Sequence, residues 1–233
     1  VCGAIGDQVD TRIVTDGEGG AIITWLDSST AGNTDIYVQR LDSNGIAMWT
    51  VDGESICSDL ADQSDLSITE DGKGGAIIAW NDLRNGNNDI YAQRINNLGD
   101  VQWPANGVAV DIKTGDQIDP NIISDNNGGA VITWQDSVIN GTWEIYAQRI
   151  DSTGALLWSA GGVAVCSAID NQKNSRIRIT SSQDFIIVWQ DKRNGNDYDI
   201  YAQKLNSNGV PQWDPNGNPI CTASGTQNNT KLV

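Results

Sequence analysis

Gly19-Gly-Ala-Ile-Ile-Thr-Trp25 returns along the chain as GGAIIAW at 74–80, as GGAVITW at 128–134 and, in worn form, as DFIIVW at 184–189. Working outward, Trp25, Trp80, Trp134 and Trp189 share a register with Tyr37, Tyr91, Tyr146 and Tyr201 and with Trp49, Trp103, Trp158 and Trp213. A fixed period of this length marks one supersecondary unit used repeatedly, and it matches four-stranded blades rather than helical or leucine-rich repeats.

The second repeat shows the strands. SDLSIT (64–69) alternates and meets a Gly-rich turn, after which AIIAW is a short apolar run of the kind buried on both faces. The polar loop DLRNGNN (82–88) leads into DIYAQRI (89–95), where Ile90, Ala92 and Arg94 face one way and Tyr91, Gln93 and Ile95 the other. The turn NNLGD then precedes a fourth strand, expected to hold Trp103. No segment carries a helical period. The fold class is therefore all-β, a β-propeller of four-stranded antiparallel blades, because stacking like on like covers both apolar faces with one repeated interface. The repeats run 1–55, 56–109, 110–164 and 165–219, and 220–233 matches the register of 1–14 and opens a fifth. The expected whole is a single partial propeller, a fragment of a larger one or of a tandem array, completed by further blades or by a neighbouring chain.

Composition narrows the function. Thirty acidic against 14 basic residues give a net charge of -16, which repels phosphate backbones and anionic lipid. No apolar run approaches the roughly 20 residues of a membrane helix. Nucleic acid and membrane insertion are therefore not expected. Histidine is absent, which removes the commonest neutral-pH base and transition-metal ligand. Cys2, Cys57, Cys166 and Cys221 occupy one repeat position, held by Asp111 in the remaining repeat. Equivalent positions in neighbouring blades diverge, so no disulfide is expected. A position that accepts Asp is expected not to lie deep.

The motif GGAIIxW, then DIYAQR, then W and C, resembles the blade units of large secreted bacterial proteins that often end in a type IX secretion sorting domain. The resemblance implies a β-propeller displayed outside the cell or on its surface, and it brings no reaction. A weaker likeness links Thr15–Gly19 to the sialidase Asp-box, without an assignable arginine triad or tyrosine nucleophile.

Two sets of side chains are candidate sites. Asp82, Asp89, Asp191 and Asp199 flank the loop between the second and third strands and could supply oxygen ligands to calcium, against the plainer reading of turn capping. Arg84, Trp143, Arg193 and Tyr198 lie in the same loop, whose sequence varies between repeats, and could meet a glycan or a protein partner. Gln39, Gln93, Gln148 and Gln203, with the Arg or Lys that follows each, recur in every third strand and are expected to pair blade to blade. A residue needed once for catalysis need not appear four times. The expectation is thus a non-catalytic binding or adhesion module, not an enzyme, with a structural repeat of a surface layer or filament as alternative and a propeller-type glycoside hydrolase ranked behind both.

Overall fold

The computed structural model describes residues 2–28, 32–137 and 141–227. Among these residues there is no helix, and the strands form four antiparallel sheets of four. The first comprises β1 (Gln8–Thr15), β2 (Ala21–Asp27), β3 (Asp35–Leu41) and β4 (Glu54–Cys57). The second comprises β5 (Gln63–Glu70), β6 (Ala76–Asp82), β7 (Asp89–Ile95) and β8 (Val108–Asp111). The third holds β9 (Gln117–Ser124), β10 (Ala130–Ser137), β11 (Trp143–Ile150) and β12 (Val163–Cys166). The fourth holds β13 (Gln172–Ile179), β14 (Phe185–Asp191), β15 (Asp199–Leu205) and β16 (Asn218–Cys221). In each sheet the strands pair in chain order.

Neighbouring sheets meet through their first strands: β1 packs on β5, β5 on β9 and β9 on β13. Side chains stitch them together, with Ser124 N donating to Thr69 Oγ1 (3.0 Å) and Ile177 N to Asn121 Oδ1 (3.3 Å). First strands therefore lie innermost and fourth strands outermost, the arrangement of β-propeller blades. Three apolar cores fill the three junctions between consecutive blades. The alternation read in DIYAQRI is visible here, since Tyr91 and Ile95 enter the core shared with the first blade while Ile90 and Ala92 enter the one shared with the third.

The repeated tryptophan anchors each blade. Trp25, Trp80, Trp134 and Trp189 are at most 2% exposed. Each stacks on the tyrosine directly opposite on the third strand, as Trp80 does on Tyr91 at 6.3 Å between centroids. The far edge of the indole rests on a glycine: a Cβ on Gly107, whose φ is +85°, would lie 2.5 Å from Trp80 Cη2. Glycine is required there on both counts.

Three expectations change. Trp103 is not in the fourth strand, because the chain first makes a short hairpin closed by the Ile95–Val101 bridge and only later re-enters the sheet at Val108. Residues 220–221 finish the fourth blade rather than open a fifth, and residues from 228 onward lie outside the described residues. The glutamines bind within their own blade: Gln93 Oε1 accepts from Arg94 N (2.9 Å) and Trp103 N (3.0 Å), because the side chain points back at the hairpin it must hold. The arginines do both jobs, Arg94 pairing with Asp71 of its own blade (2.8 Å) and donating to Ser152 O of the next (3.2 Å).

The four cysteines are unbridged. Cys57 and Cys166 are buried, and burial pushes each thiol up to about 12. Their counterpart Asp111 is equally deep at 3% exposure, which corrects the expectation that an Asp-tolerant position is shallow. Lys113 makes this tenable, its Nζ standing 3.1 Å from Asp111 Oδ2 and 2.9 Å from Asp136 Oδ2.

Candidate functional site

The innermost strands all carry a β-bulge. On β1 the register jumps between Val9 and Arg12, on β5 between Ser64 and Ser67, and on β13 between Lys173 and Arg176, while β9 breaks register opposite Thr133–Gln135. Within each bulge one residue takes a positive φ: Asp10 at 52°, Asp65 at 51°, Asp119 at 57° and Asn174 at 55°. Asp and Asn tolerate the left-handed region better than other non-glycine residues, which explains the residue types. A bulge also re-aims a side chain. The four bulges stand at equivalent places on the innermost strands, and the charge of Asp10 acts on Asp65 and that of Asp65 on Asp119.

Each group is held by a neighbour. Asn81 Nδ2 donates to Asp65 Oδ2 at 2.6 Å, Gln135 Nε2 to Asp119 Oδ2 at 2.8 Å, and Asn174 Nδ2 to Gln190 Oε1 at 3.1 Å. In the first blade the corresponding second-strand residue is Leu26, and Arg12 replaces the amide with an ion pair to Asp10 at 2.5 Å. Desolvation by the blades, reinforced by the neighbouring aspartate, raises the proton affinity of Asp65 and Asp119, while Arg12 and Arg176 partly oppose it. The set thus contains carboxylates in contrasting environments, one beside a guanidinium and two that hold a proton more readily than usual.

The set lies toward the loop end of the blades. Gln8 pairs with Asp27 and Asp27 with Asp35, so the start of each innermost strand stands beside the connection between the second and third strands. That connection is the variable loop, of which 29–31 and 138–140 fall outside the described residues. Tyr198 belongs to it, with Lys173 Nζ 3.9 Å above its ring. Lys173 precedes Asn174 on β13, so this contact ties the variable loop of the fourth blade to the start of its innermost strand. Trp143 begins β11, its backbone N bonded to Asn171 Oδ1 (3.0 Å) of the next blade.

Arg84 and Arg193 do not join them. Arg84 reaches Asp82 with Nε (2.8 Å), donates to Asn106 O (3.0 Å) and covers the Tyr91 ring at 3.9 Å. Arg193 repeats this with Asp191, Asn216 O and Tyr201. Both guanidinium groups clamp a loop onto its own blade. Asp82 and Asp191 also accept from the indoles of Trp80 and Trp189 at 2.8 Å. Asp89 accepts from Asn85 (2.6 Å) and Asn87 (3.0 Å), and Asp199 from Asn194 (2.9 Å). Guanidinium, indole and amide donors make these carboxylates hydrogen-bonded turn anchors, whereas calcium takes oxygen ligands. Among the described residues no group of three or more His, Cys, Asp or Glu is placed to hold a metal ion.

No protein-family model and no curated protein matches the chain. Solved structures do. A Penicillium chrysogenum α-L-arabinanase complexed with arabinobiose superposes with a TM-score of 0.57 at 12% identity, over 94% of this chain and 68% of that one. The Hadza microbial sialidase Hz136 gives 0.57 at 11% identity over 93% and 48%. The GH93 α-L-arabinofuranosidase of Fusarium graminearum gives 0.53 at 11% identity over 85% and 62%. The chain thus spans between about half and two thirds of the length of these proteins. At such identities the likeness shows the fold, a β-propeller.

These neighbours overturn the expectation of a non-catalytic module and of a chain that is not an enzyme, since they are enzymes built on the same blades. The reason is geometric. A centre on a propeller axis draws one residue from each of several blades, so its members occupy equivalent repeat positions, as Asp10, Asp65 and Asp119 do. Recurrence in the repeat does not count against catalysis.

Proposed function

We propose that this chain forms the blades of a carbohydrate-active propeller of the glycoside-hydrolase type, acting outside the cell or at its surface, with Asp10, Asp65 and Asp119 as its reaction centre. The observation that carries the reading is the positive φ shared by these three aspartates at the same bulge of three innermost strands, together with the action of Asp10's charge on Asp65 and of Asp65's on Asp119. Glycoside hydrolysis requires two carboxyl groups in different roles, one giving a proton to the leaving oxygen and one acting as base or nucleophile. Asp119, whose proton affinity is raised by desolvation and whose other oxygen is fixed by Gln135, suits the acid. Asp10, ion-paired with Arg12, suits the partner that acts as an anion. Tyr198 offers an aromatic face for a sugar ring at the rim.

The test is turnover of a glycan panel that includes arabino-oligosaccharides and sialosides. Asp119→Asn and Asp10→Asn should each lower kcat by roughly 10²-fold or more, the usual scale for a lost acid or base, and Asp82→Asn should leave kcat within a few-fold in whatever protein folds. Turnover of no glycan, or axial variants as active as the parent, would refute the proposal.

A further inference from the structure

We propose that the outward faces of the first and fourth blades are the two halves of one interface, and that their occupant is one additional four-stranded blade carrying this same repeat. The inference does not depend on the reaction assigned above.

The three internal junctions show what covers such faces. In each, the tryptophan of the outer hairpin crosses to the next blade and donates to a turn carbonyl: Trp49 to Asn97 O (3.2 Å), Trp103 to Ser152 O (3.2 Å) and Trp158 to Ser207 O (3.1 Å). Its ring lies against the glycine two residues on, so that a Cβ on Gly99, Gly154 or Gly209 would come within 3.0, 3.1 or 2.7 Å of the indole. The series is broken at both ends. Around Gly45, the first-blade member, nothing lies within 4 Å of a Cβ. Trp213, the fourth-blade member, donates its indole N–H to no carbonyl among the described residues. One junction's tryptophan and another's glycine are present, each without its counterpart.

Burial tells the same story. Ile122 and Ile177 of the innermost strands are 8% and 0% exposed, whereas Ile13 at the same position of β1 is 65% exposed. Ile56, Val110 and Val165 of the outermost strands are at most 2% exposed, whereas Ile220 is 61% exposed. Each open face is thus built with the residues that the internal junctions bury.

The same geometry favours a further blade of this repeat over a second copy of this chain. Gln227 N donates to Tyr198 O (2.7 Å), as Gln63 N does to Thr34 O and Gln117 N to Asn88 O, so Gln227 stands where an innermost strand starts. Cys2 lies 4.0 Å from Asp27 Oδ2, as Cys57 lies 3.9 Å from Asp82 Oδ2, so Cys2 stands where the outermost strand of a preceding blade ends. Two copies joined head to tail would bring Gln227 of one and Gln8 of the other to the same place. One blade running from the position after Gln227 to the position before Cys2 fits without overlap.

The experiment is hydroxyl-radical footprinting of the 233-residue chain and of a chain extended after Gln227 by its own residues 64–110. In the 233-residue chain, Ile13 and Ile220 should be labelled faster than Ile122 and Val165. In the extended chain their labelling should fall to the level of those two internal standards, and Ile13→Asp should lower its melting temperature while leaving that of the 233-residue chain unchanged. The proposal is overturned if Ile13 and Ile220 are already as protected as the standards, or if a folded extended chain leaves them labelled. It is equally overturned if the 233-residue chain dimerises in light scattering with both residues protected, which would assign the faces to a second copy.

Discussion

Replacing Asp111 by the cysteine of its sister blades should stabilise the protein at neutral pH and not in acid. Asp111 is 3% exposed, and the Lys113 ammonium, 3.1 Å from Oδ2, is the cation that faces it. Burial raises its carboxyl to about 6, against the opposing pull of Lys113, with Asp136 adding to the rise. A folded value above the unfolded one of 3.8 means that the folded state binds the proton more tightly. The associated stability is complete below the unfolded value and is lost as pH rises from about 4 through about 6. At 1.36 kcal/mol per pH unit the loss is at most ~3 kcal/mol, and because Lys113 is partly in water the figure is discounted to roughly 1–2 kcal/mol. A buried cysteine, held protonated in the sister blades, has no such loss, and Lys113 keeps Asp136. Urea unfolding of parent and Asp111→Cys at pH 4.5 and pH 7.5 measures it directly. The variant should gain about 1–2 kcal/mol at the higher pH relative to the lower. A difference between the two proteins that does not change with pH would refute the reasoning.

Trp80→Ala should destabilise by about 3–5 kcal/mol, the cost of emptying a fully buried aromatic site, read from the same unfolding curves. Gly107→Ala combines a positive φ with a Cβ 2.5 Å from the Trp80 ring, whereas Gly86→Ala meets open space at a comparable φ, so the first should lower the melting temperature clearly more than the second. Ellman's reagent on the folded chain should react readily with the half-buried Cys2 and Cys221 and leave Cys57 and Cys166 unmodified until the protein is denatured, since burial holds those thiols near 12. Equal rates at all four would contradict the buried placement.

The architecture was legible because the repeat exposes it. A tryptophan that returns every 54–55 positions must meet the same surroundings each time, and the alternation in DIYAQRI states which side chains enter which junction. The long excursion before the fourth strand was not legible, because the bridge between Ile95 and Val101 mimics a strand start without continuing into one. The axial set was missed for a different reason. Asp10, Asp65, Asp119 and Asn174 carry the same spacing as the tryptophans, but an aspartate in a strand reads as a solvent-facing residue unless the bulge is known. One signal was available, the Gln-x-Asp or Gln-x-Asn that opens all four innermost strands. The arginines of the variable loop misled in the opposite direction, since a guanidinium beside Asn and Gly in a loop suggests a ligand contact, while Arg84 in fact spends its donors on Asp82 and Asn106.

The measurement that bears most directly on the proposed function is a crystal structure of the protein soaked with the best-turned-over oligosaccharide of the panel, using Asp119→Asn to trap it. A sugar ring should lie on the axis, with its glycosidic oxygen within hydrogen-bond distance of residue 119 and with Asp10 and Asp65 facing the same ring. A sugar bound on the outer hairpins or between two loop tips, with the axial carboxylates untouched, would contradict it.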